Sequence, residues 1–252
     1  MTGQAGGKHY SYTVYADAKT ARTFDDRRFG GPIGELLAGD QARVLHSFVG
    51  RIDGRTILDV GTGTGRAALI FARGGARVTG IDASEEMLAV ARERAADQSV
   101  SIRFLKGDAH ALDFGDRAFD VAVSLRVVMH APKWQSVVSE LCRVADRIVI
   151  LDYPSKRSVA AVESGVRRIL HTLGVPTQPY RVFSDREIKG ALTGAGFRIR
   201  SVHRQFVLPI AFYKLFGSRR LTLAIEKLLD WFGLRRIFGS PVTLVAERCV
   251  LS

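Results

Sequence analysis

The sequence predicts an α/β protein built on a doubly wound, seven-stranded and mostly parallel sheet with helices on both faces. Short apolar segments alternate with helical segments from Arg55 onward, and a glycine-rich turn follows the first apolar segment. An acidic residue stands at or near the end of each of the first two apolar segments. Strands separated by helices pair in parallel, and the helices then cover both faces of the sheet. We expect the last strand to be antiparallel, with a helical insert before it.

The individual elements follow from periodicity and from turn residues. Apolar positions in 33–50 have helical spacing interrupted by Gly39, which predicts one or two helices. Strands are predicted at 56–60, 76–81, 100–105, 119–124, 147–153, 196–204 and 241–249, and helices at 66–73, 84–97, 133–145, 158–173, 184–194 and 219–232. Ser84, Ser184 and Ser218 stand where N-caps are expected.

Charge is distributed unevenly along the 252 residues. Of the net charge of +12, residues 1–150 carry +2 and residues 151–252 carry +10. A basic C-terminal part indicates an anionic partner, which can be a nucleic acid, a phosphorylated substrate or a membrane surface. Cys142 and Cys249 are the only cysteines, which excludes a disulfide framework. Because no signal segment or membrane-spanning run is recognisable, we expect a cytoplasmic protein, with peripheral membrane contact left open.

The glycine-rich turn has the position and spacing of a cofactor site. Its residues, Gly61-Thr62-Gly63-Thr64-Gly65, follow a strand and open a helix. A dinucleotide-binding turn would have glycine at Arg66, and the lysine of a phosphate-binding loop is absent. Asp59 lies near the end of the first strand, and Asp82 ends the second, 21 residues after Gly61. A carboxylate at the latter position accepts hydrogen bonds from both ribose hydroxyls, at the sheet edge where such folds bind ligands.

Four segments in order carry a resemblance to a known family. They are LDVGTGTGRAA (58–68), VTGIDASEEMLAVAR (78–92), FLKGDAHALDF (104–114) and FDVAVSLRVVMH (119–130). The chain resembles the class I S-adenosylmethionine-dependent methyltransferases, and most of all their small-molecule group (ubiquinone/menaquinone-type, methyltransferase type 11-like). The resemblance covers about residues 29–145 and implies a Rossmann-like fold with S-adenosyl-L-methionine as cofactor. The family's Pro-Gly-Gly turn before the fifth strand is missing at 144–147.

The resemblance also assigns residues to the cofactor. It implies that Asp59 lies near the methionine amine and Asp82 on the ribose. The other implied cofactor-binding residues are Gly61, Thr62, Gly63, Gly65, Ala83, Met87, Asp108, Ala109, Leu125 and Arg126. Residues 51–153 then form the cofactor-binding core, 1–50 a leader with lid helices, and 154–252 the remainder of the same domain. The segment RRFGGPIGELL (27–37) resembles the one that closes over the cofactor.

His130 is the candidate general base. It lies a few residues beyond the fourth strand, on the expected substrate side of the cofactor. In methyl transfer the enzyme aligns the acceptor with the methyl group, and a neutral imidazole can remove the acceptor's proton near pH 7. The alternative is that His130 is structural and hydrogen-bonds within its own turn. The six histidines show no metal-ligand spacing, so no metal is expected.

Residues outside the central motifs add further candidates. Tyr10, Tyr12 and Tyr15 are candidates for a lid. Arg27 and Arg28 are either ligands of the substrate or of the cofactor carboxylate, or a solvated charge pair.

The insert at about 207–240 combines basic and apolar residues. Apolar residues recur at i, i+3, i+4, i+7, i+8 and i+11, namely Leu221, Ala224, Ile225, Leu228, Leu229 and Phe232. This spacing predicts an amphipathic helix. One interpretation is a cap whose apolar stripe packs on the sheet or forms a homodimer contact. The other is a cover over an apolar substrate pocket that also touches an anionic membrane.

The favoured function is methyl transfer to a small, apolar or lipid-linked acceptor. An RNA methyltransferase is an alternative prompted by the isoelectric point of about 10.2. It is opposed by the sequence Ser124-Leu125-Arg126-Val127, which lacks an Asn/Asp-Pro-Pro-Tyr signature, and by the absence of a recognisable RNA-binding module. A non-catalytic cofactor-binding protein is a further alternative. A nicotinamide oxidoreductase is opposed by Arg66 at the third glycine position.

Overall fold

A computed structural model describes residues 21–23, 25, 29–175, 177 and 180–249. The leader at 1–20, with the lid candidates Tyr10, Tyr12 and Tyr15, lies outside these residues, and so do Arg27 and Arg28.

Seven strands form a single sheet in the order β3-β2-β1-β4-β5-β7-β6. The strands are β1 (Thr56–Val60), β2 (Arg77–Asp82), β3 (Ile102–Lys106), β4 (Phe119–Ser124), β5 (Ala145–Tyr153), β6 (Phe197–Phe206) and β7 (Ser240–Arg248). β7 is antiparallel to both β5 and β6, and the pairs among β1 to β5 are parallel. The predicted fold class, including its antiparallel last strand, is therefore confirmed.

Helices cover both faces of this sheet. They are α1 (Gly31–Val49), α2 (Arg66–Arg73), α3 (Glu85–Asp97), α4 (Trp134–Val144), α5 (Val159–Thr172), α6 (Asp185–Gly194), α7 (Ile210–Phe216), α8 (Arg219–Trp231) and α9 (Leu234–Phe238). Leu58 belongs to the apolar cluster that includes residues of α4 and α6, whereas its neighbour Ile57 belongs to the cluster that includes residues of α1, α2 and α3. Since successive strand residues point to opposite faces, these two clusters are the two sides of the core.

Local sequence signals explain most of the helix boundaries. Ser84 accepts a hydrogen bond from the Met87 amide at 3.1 Å, as expected of an N-cap. Ser184 and Glu187 form a reciprocal capping box at the start of α6. Gly39 does not interrupt α1, because its position is exposed and leaves the helix ladder intact. Where the family's turn is missing, α4 ends at Val144 and β5 begins at the next residue.

The insert packs on α1 and on the end of β6. Ile33, Leu36 and Tyr213 belong to a third apolar cluster, which joins α1 to the end of β6 and to α7. Helix α8 turns Thr222 and Glu226 inward, at 1% and 4% exposure. Three members of the predicted apolar stripe face outward: Leu221, Leu228 and Phe232 are 43%, 55% and 63% exposed. The stripe therefore does not pack on the sheet as a whole, although Ile225 contacts the third cluster.

Candidate functional site

The turn between β1 and α2 is held against the end of β2. The amides of Gly61 and Thr62 both donate to the Ile81 carbonyl at 2.8 Å. Gly61 has φ of +71°, and a Cβ there would lie 2.2 Å from Cγ2 of Val127. Gly63 has φ of +55°, and a Cβ there would meet no atom within 4 Å. Position 61 thus requires glycine because of its positive φ and because Val127 is too close for a Cβ. At position 63, glycine leaves open space beside the cavity.

Asp59 is a buried carboxylate at the end of β1. It is 2% exposed, and its Oδ2 accepts hydrogen bonds from the Thr62 hydroxyl at 2.7 Å and from the Ala68 amide at 3.2 Å. Burial raises the pKa of Asp59 to about 6, even though these two hydrogen bonds favour the charged form. Near pH 7 the group is therefore ionised in an environment that favours a cation beside it.

Asp82 ends β2 and holds the same turn from the other side. Its Oδ2 accepts from the Gly63 amide at 2.8 Å, and its Oδ1 accepts from the Ser84 amide at 2.9 Å. Burial raises the pKa of this carboxyl above its usual value. Each oxygen has a second lone pair beyond the one that the backbone uses. Both oxygens can therefore accept a ligand hydroxyl, which suits a ribose diol.

A further part of the cavity lining comes from the residues that follow β4. Arg126 has a left-handed backbone with φ of +66°, which is uncommon for a non-glycine residue. Its amide donates to the carboxylate of Asp152, which is 2% exposed at the end of β5. The His130 amide donates to the Val127 carbonyl at 2.9 Å and closes the following turn. These contacts position Leu125, Arg126, Val127 and His130 at the cavity.

Most of the sequence-predicted site residues line one cavity at the carboxyl ends of β1 to β4. They are Asp59, Gly61, Thr62, Gly63, Asp82, Ala83, Met87, Ala109, Leu125, Arg126 and His130. Gly65 and Asp108 are outside this lining. Gly65 is the left-handed N-cap of α2, where its added Cβ would lie 3.1 Å from Ala91. The Asp108 carboxylate is turned to His110, whose Nδ1 lies 2.8 Å from it.

Sequence reasoning missed several lining residues. They are Thr64, Arg66, Ala67, Ile81, Ser84, Gly107, His110, Val127, Ala131 and Pro132. In the sequence, Arg66 stands out only as a departure from the dinucleotide-binding glycine pattern. Its position at the start of the helix that follows the glycine-rich turn is the feature that could have indicated a place at the cavity. Within the described residues, none of 207–240 contributes to the lining.

Arg66 brings a cation to the side of the cavity that holds Asp59. Its guanidinium lies 3.4 Å from the centre of the Phe29 ring and donates to Oε1 of Gln41 at 2.7 Å. Burial lowers the pKa of Arg66 to about 10, so the group stays protonated at neutral pH. The Nε of Arg66 also lies 3.9 Å from Oδ1 of Asp25, which partly compensates its charge. The cavity lining thus contains carboxylates and a guanidinium, a set that fits a zwitterionic amino-acid group together with a nucleoside.

The chain is similar in sequence to known methyltransferases. Residues 57–147 match the family described as methyltransferase domain. The chain is 39% identical over 128 residues to a phosphatidylethanolamine N-methyltransferase of Cereibacter sphaeroides, covering 48% of this chain and 63% of the relative. It is 38% identical over 105 residues to a demethylmenaquinone methyltransferase of Thermus thermophilus, covering 40% and 48%. The chain thus spans about half to under two-thirds of these relatives' lengths.

Solved structures share the fold over nearly the whole chain. A magnesium protoporphyrin IX methyltransferase from Synechocystis PCC 6803 with bound SAH superposes with a TM-score of 0.67 at 19% identity, covering 96% of this chain and 100% of that chain. At this identity the likeness concerns the fold. The domain matched over residues 57–147 and the seven-stranded fold both support a class I S-adenosylmethionine-dependent methyltransferase domain in this chain.

Proposed function

We propose that this chain transfers a methyl group from S-adenosyl-L-methionine to a small, apolar or lipid-linked acceptor. The observation that carries the proposal is the convergence of four strand ends on one cavity. Asp59, Asp82 and Arg66 contribute charges that suit this cofactor, and residues after β4 complete the lining. Ligands of open α/β sheets bind at this edge.

The cavity groups fit the parts of the cofactor one by one. Asp82 accepts the two ribose hydroxyls, Asp59 faces the methionine ammonium, and Arg66 is the cation for the methionine carboxylate. The space beside Gly63 is open, since a Cβ there would meet no atom within 4 Å. The cofactor can therefore approach the backbone closely at this position. The bound cofactor supplies an electrophilic methyl group on a sulfonium. The chain's own task is then to align an acceptor with that methyl group.

The cavity wall formed by the residues after β4 supports an apolar acceptor. Leu125, Val127, Ala131 and Pro132 line it, together with the polar residues Arg126 and His130. Mostly apolar walls with a few well-placed polar groups are typical of sites for small hydrophobic ligands. The two relatives with printed activities carry the names of a phospholipid and a menaquinone precursor, which agrees in chemical class.

His130 is proposed as the group that removes the acceptor's proton. Its side chain lines the cavity, and its backbone is fixed by the bond to Val127. General-base catalysis contributes about 100-fold or more to turnover. We expect His130→Ala to lower kcat by that order while the Kd for S-adenosylhomocysteine changes by less than about twofold. His46→Ala, at an exposed position of α1, is the matched control and should keep both values. Unchanged turnover in His130→Ala would assign His130 a structural role.

Two measurements test the proposed function. Calorimetric titration should show binding of S-adenosylhomocysteine and none of NAD; a chain that binds neither is not a methyltransferase. Methyl-labelled cofactor is then incubated with the enzyme and a lipid extract, with total RNA in a parallel reaction. Label in an extractable lipid or small molecule supports the proposal. Label in RNA alone, or binding without transfer in every reaction, contradicts it.

A further inference from the structure

Exposed large apolar side chains are concentrated in two segments of the described chain, 159–175 and 212–238. In the second segment, the insert, Leu215 is 84% exposed, Trp231 78%, Phe232 63% and Leu228 55%. Single exposed apolar residues are ordinary, whereas a contiguous group of them marks an interaction surface. We call the outward side of α7, α8 and α9 the insert surface.

Basic side chains accompany the apolar ones on the insert surface. Residues 207–240 contain six Lys or Arg and two acidic residues. Neither acidic residue is available to a partner, because Glu226 is 4% exposed and Asp230 is paired with Arg235. Arg219, Arg220 and Lys227 are exposed. The surface is thus apolar and cationic, which complements a surface that is apolar and anionic.

The inward side of α8 fixes this orientation. The Glu226 carboxylate accepts the Val207 amide at 2.9 Å and also the Tyr213 hydroxyl. Val207 directly follows β6, and its amide would otherwise be buried without an acceptor. Because Glu226 must face inward, the apolar residues on the other side of the helix face solvent.

The insert lies at the same edge of the sheet as the cavity. β6 pairs with β7, and β7 with β5, antiparallel in both cases, so β6 runs parallel to β5. The chain leaves the carboxyl end of β6 to form the insert, and it leaves the carboxyl end of β5 before α5, the other segment with exposed apolar residues. Both apolar segments therefore begin at the edge where the cavity opens.

We propose that the insert surface docks on an anionic lipid bilayer, with Trp231 and its apolar neighbours in the headgroup region and the arginines on the phosphates. This is the geometry of an interfacial amphipathic helix. Within the described residues no helix is long and apolar enough to cross a bilayer, so the contact is one of docking. The docking does not depend on the proposed methyl transfer, because it needs neither the cofactor nor the cavity.

Trp231 makes the docking measurable without a label. The chain has two tryptophans, and Trp134 is 4% exposed, so a change in emission on adding vesicles reports on Trp231. We expect a blue shift with vesicles of phosphatidylglycerol and phosphatidylcholine, and quenching when the phosphatidylcholine is brominated. Pure phosphatidylcholine should give a much smaller response, and Trp231→Phe should abolish the shift. No shift and no flotation with the anionic vesicles would overturn the proposal.

Charge variants separate specific docking from general attraction by a basic protein. A basic residue near an anionic membrane contributes about fivefold to partitioning, so Arg219→Ala with Arg220→Ala should lower flotation about 25-fold. Arg77→Ala with Arg103→Ala is the matched control, since both are exposed on β2 and β3 at the opposite end of the sheet. We expect less than a twofold effect there. Equal losses in both variants would overturn the proposal.

A second copy of the chain is the competing occupant of the insert surface. Sedimentation without lipid distinguishes it, because docking on lipid predicts a monomer whose Trp231 emission is independent of protein concentration. If a dimer forms, shifts the Trp231 emission and persists when vesicles are added, the occupant of the insert surface is a second copy of the chain and not a lipid bilayer. Calorimetry with S-adenosylhomocysteine on the same sample reports separately on the proposed function.

Discussion

Asp59→Asn removes one buried charge from the cavity and little else. Both of its hydrogen-bond donors, the Thr62 hydroxyl and the Ala68 amide, contact the same oxygen, Oδ2. The amide oxygen of asparagine can take over both contacts, and its NH₂ group then replaces Oδ1. The variant therefore tests the charge itself, with the turn held as in the parent chain.

The size of the effect follows from the pKa of Asp59. Burial raises this pKa from 3.8 to about 6, a difference of about two units. At about 1.4 kcal/mol per unit, this corresponds to a linkage free energy of about 3 kcal/mol. Because the folded protein holds the proton more tightly than the unfolded chain, the stabilisation is present below about pH 4 and is lost as the pH rises through about 6. An asparagine has no such dependence, so the variant should be the more stable protein at pH 7.5, by up to about 3 kcal/mol.

Urea unfolding at pH 4.5 and pH 7.5 measures this directly. The difference in free energy of unfolding between Asp59→Asn and the parent chain should grow from the lower to the higher pH. Cofactor binding should respond in the opposite sense, because the ionised carboxylate is proposed to face the methionine ammonium. For the parent chain, the Kd for S-adenosylhomocysteine should rise about tenfold from pH 7.5 to pH 5, where about a tenth of the Asp59 population is ionised.

Two results would refute this reasoning. A stability difference that is the same at both pH values would show that Asp59 does not titrate as a buried group. Parent-like affinity for S-adenosylhomocysteine in Asp59→Asn at pH 7.5 would show that its charge does not contact the ligand. A pH dependence of binding that remains in the variant would belong to Asp82, whose pKa is also raised by burial.

Three further changes test the geometry of the turn, a helix cap and the cysteines. Gly61→Ala should weaken S-adenosylhomocysteine binding at least tenfold, since its Cβ would lie 2.2 Å from Val127; adding Val127→Ala should recover part of the loss, and no loss in the single variant would contradict the contact. Ser184→Ala should lower the free energy of unfolding by about 1 kcal/mol, because the α6 capping box is lost; a urea titration that shows no change would contradict this. Burial raises the pKa of Cys142 to about 12, whereas Cys249 is exposed. A thiol reagent at pH 7.5 should thus label one cysteine in the folded protein and two after denaturation, and rapid double labelling of the folded protein would contradict the burial.

The central part of the fold was predictable because local signals there agree with the tertiary structure. β1, α2 and β4 have the predicted bounds, since each is an apolar or small-residue segment limited by glycine or polar residues. For 33–50 one or two helices were predicted, and the structure has one. An exposed glycine costs a helix only about 1 kcal/mol, and packing on a cluster can offset this cost. The sequence therefore marks where helices are weak, while tertiary contacts decide whether they end.

The site residues that lie at strand ends could be predicted from the sequence. Those that reach the cavity through contacts with residues far away in the sequence were harder to predict. Asp59 and Asp82 lie at the cavity because the carboxyl ends of parallel strands share an edge. Asp108 has the same position in the third motif, yet its carboxylate bonds to His110 two residues later. Arg66 contributes to the cavity through contacts with Phe29 and Gln41, which no spacing rule connects to it.

The orientation of α8 illustrates a general limit of periodicity. A repeat of apolar residues shows that a helix has two unlike faces, but it does not say which of them meets the protein. Here the amides that follow β6 and the Tyr213 hydroxyl need an acceptor, and Glu226 supplies it from the polar face. Leaving those groups without a partner would cost about 1–3 kcal/mol each, comparable to the gain from burying one large apolar side chain. Three such donors on one carboxylate therefore offset the burial of about as many apolar side chains. An apolar helix face remains available at the edge of the sheet that carries the cofactor cavity.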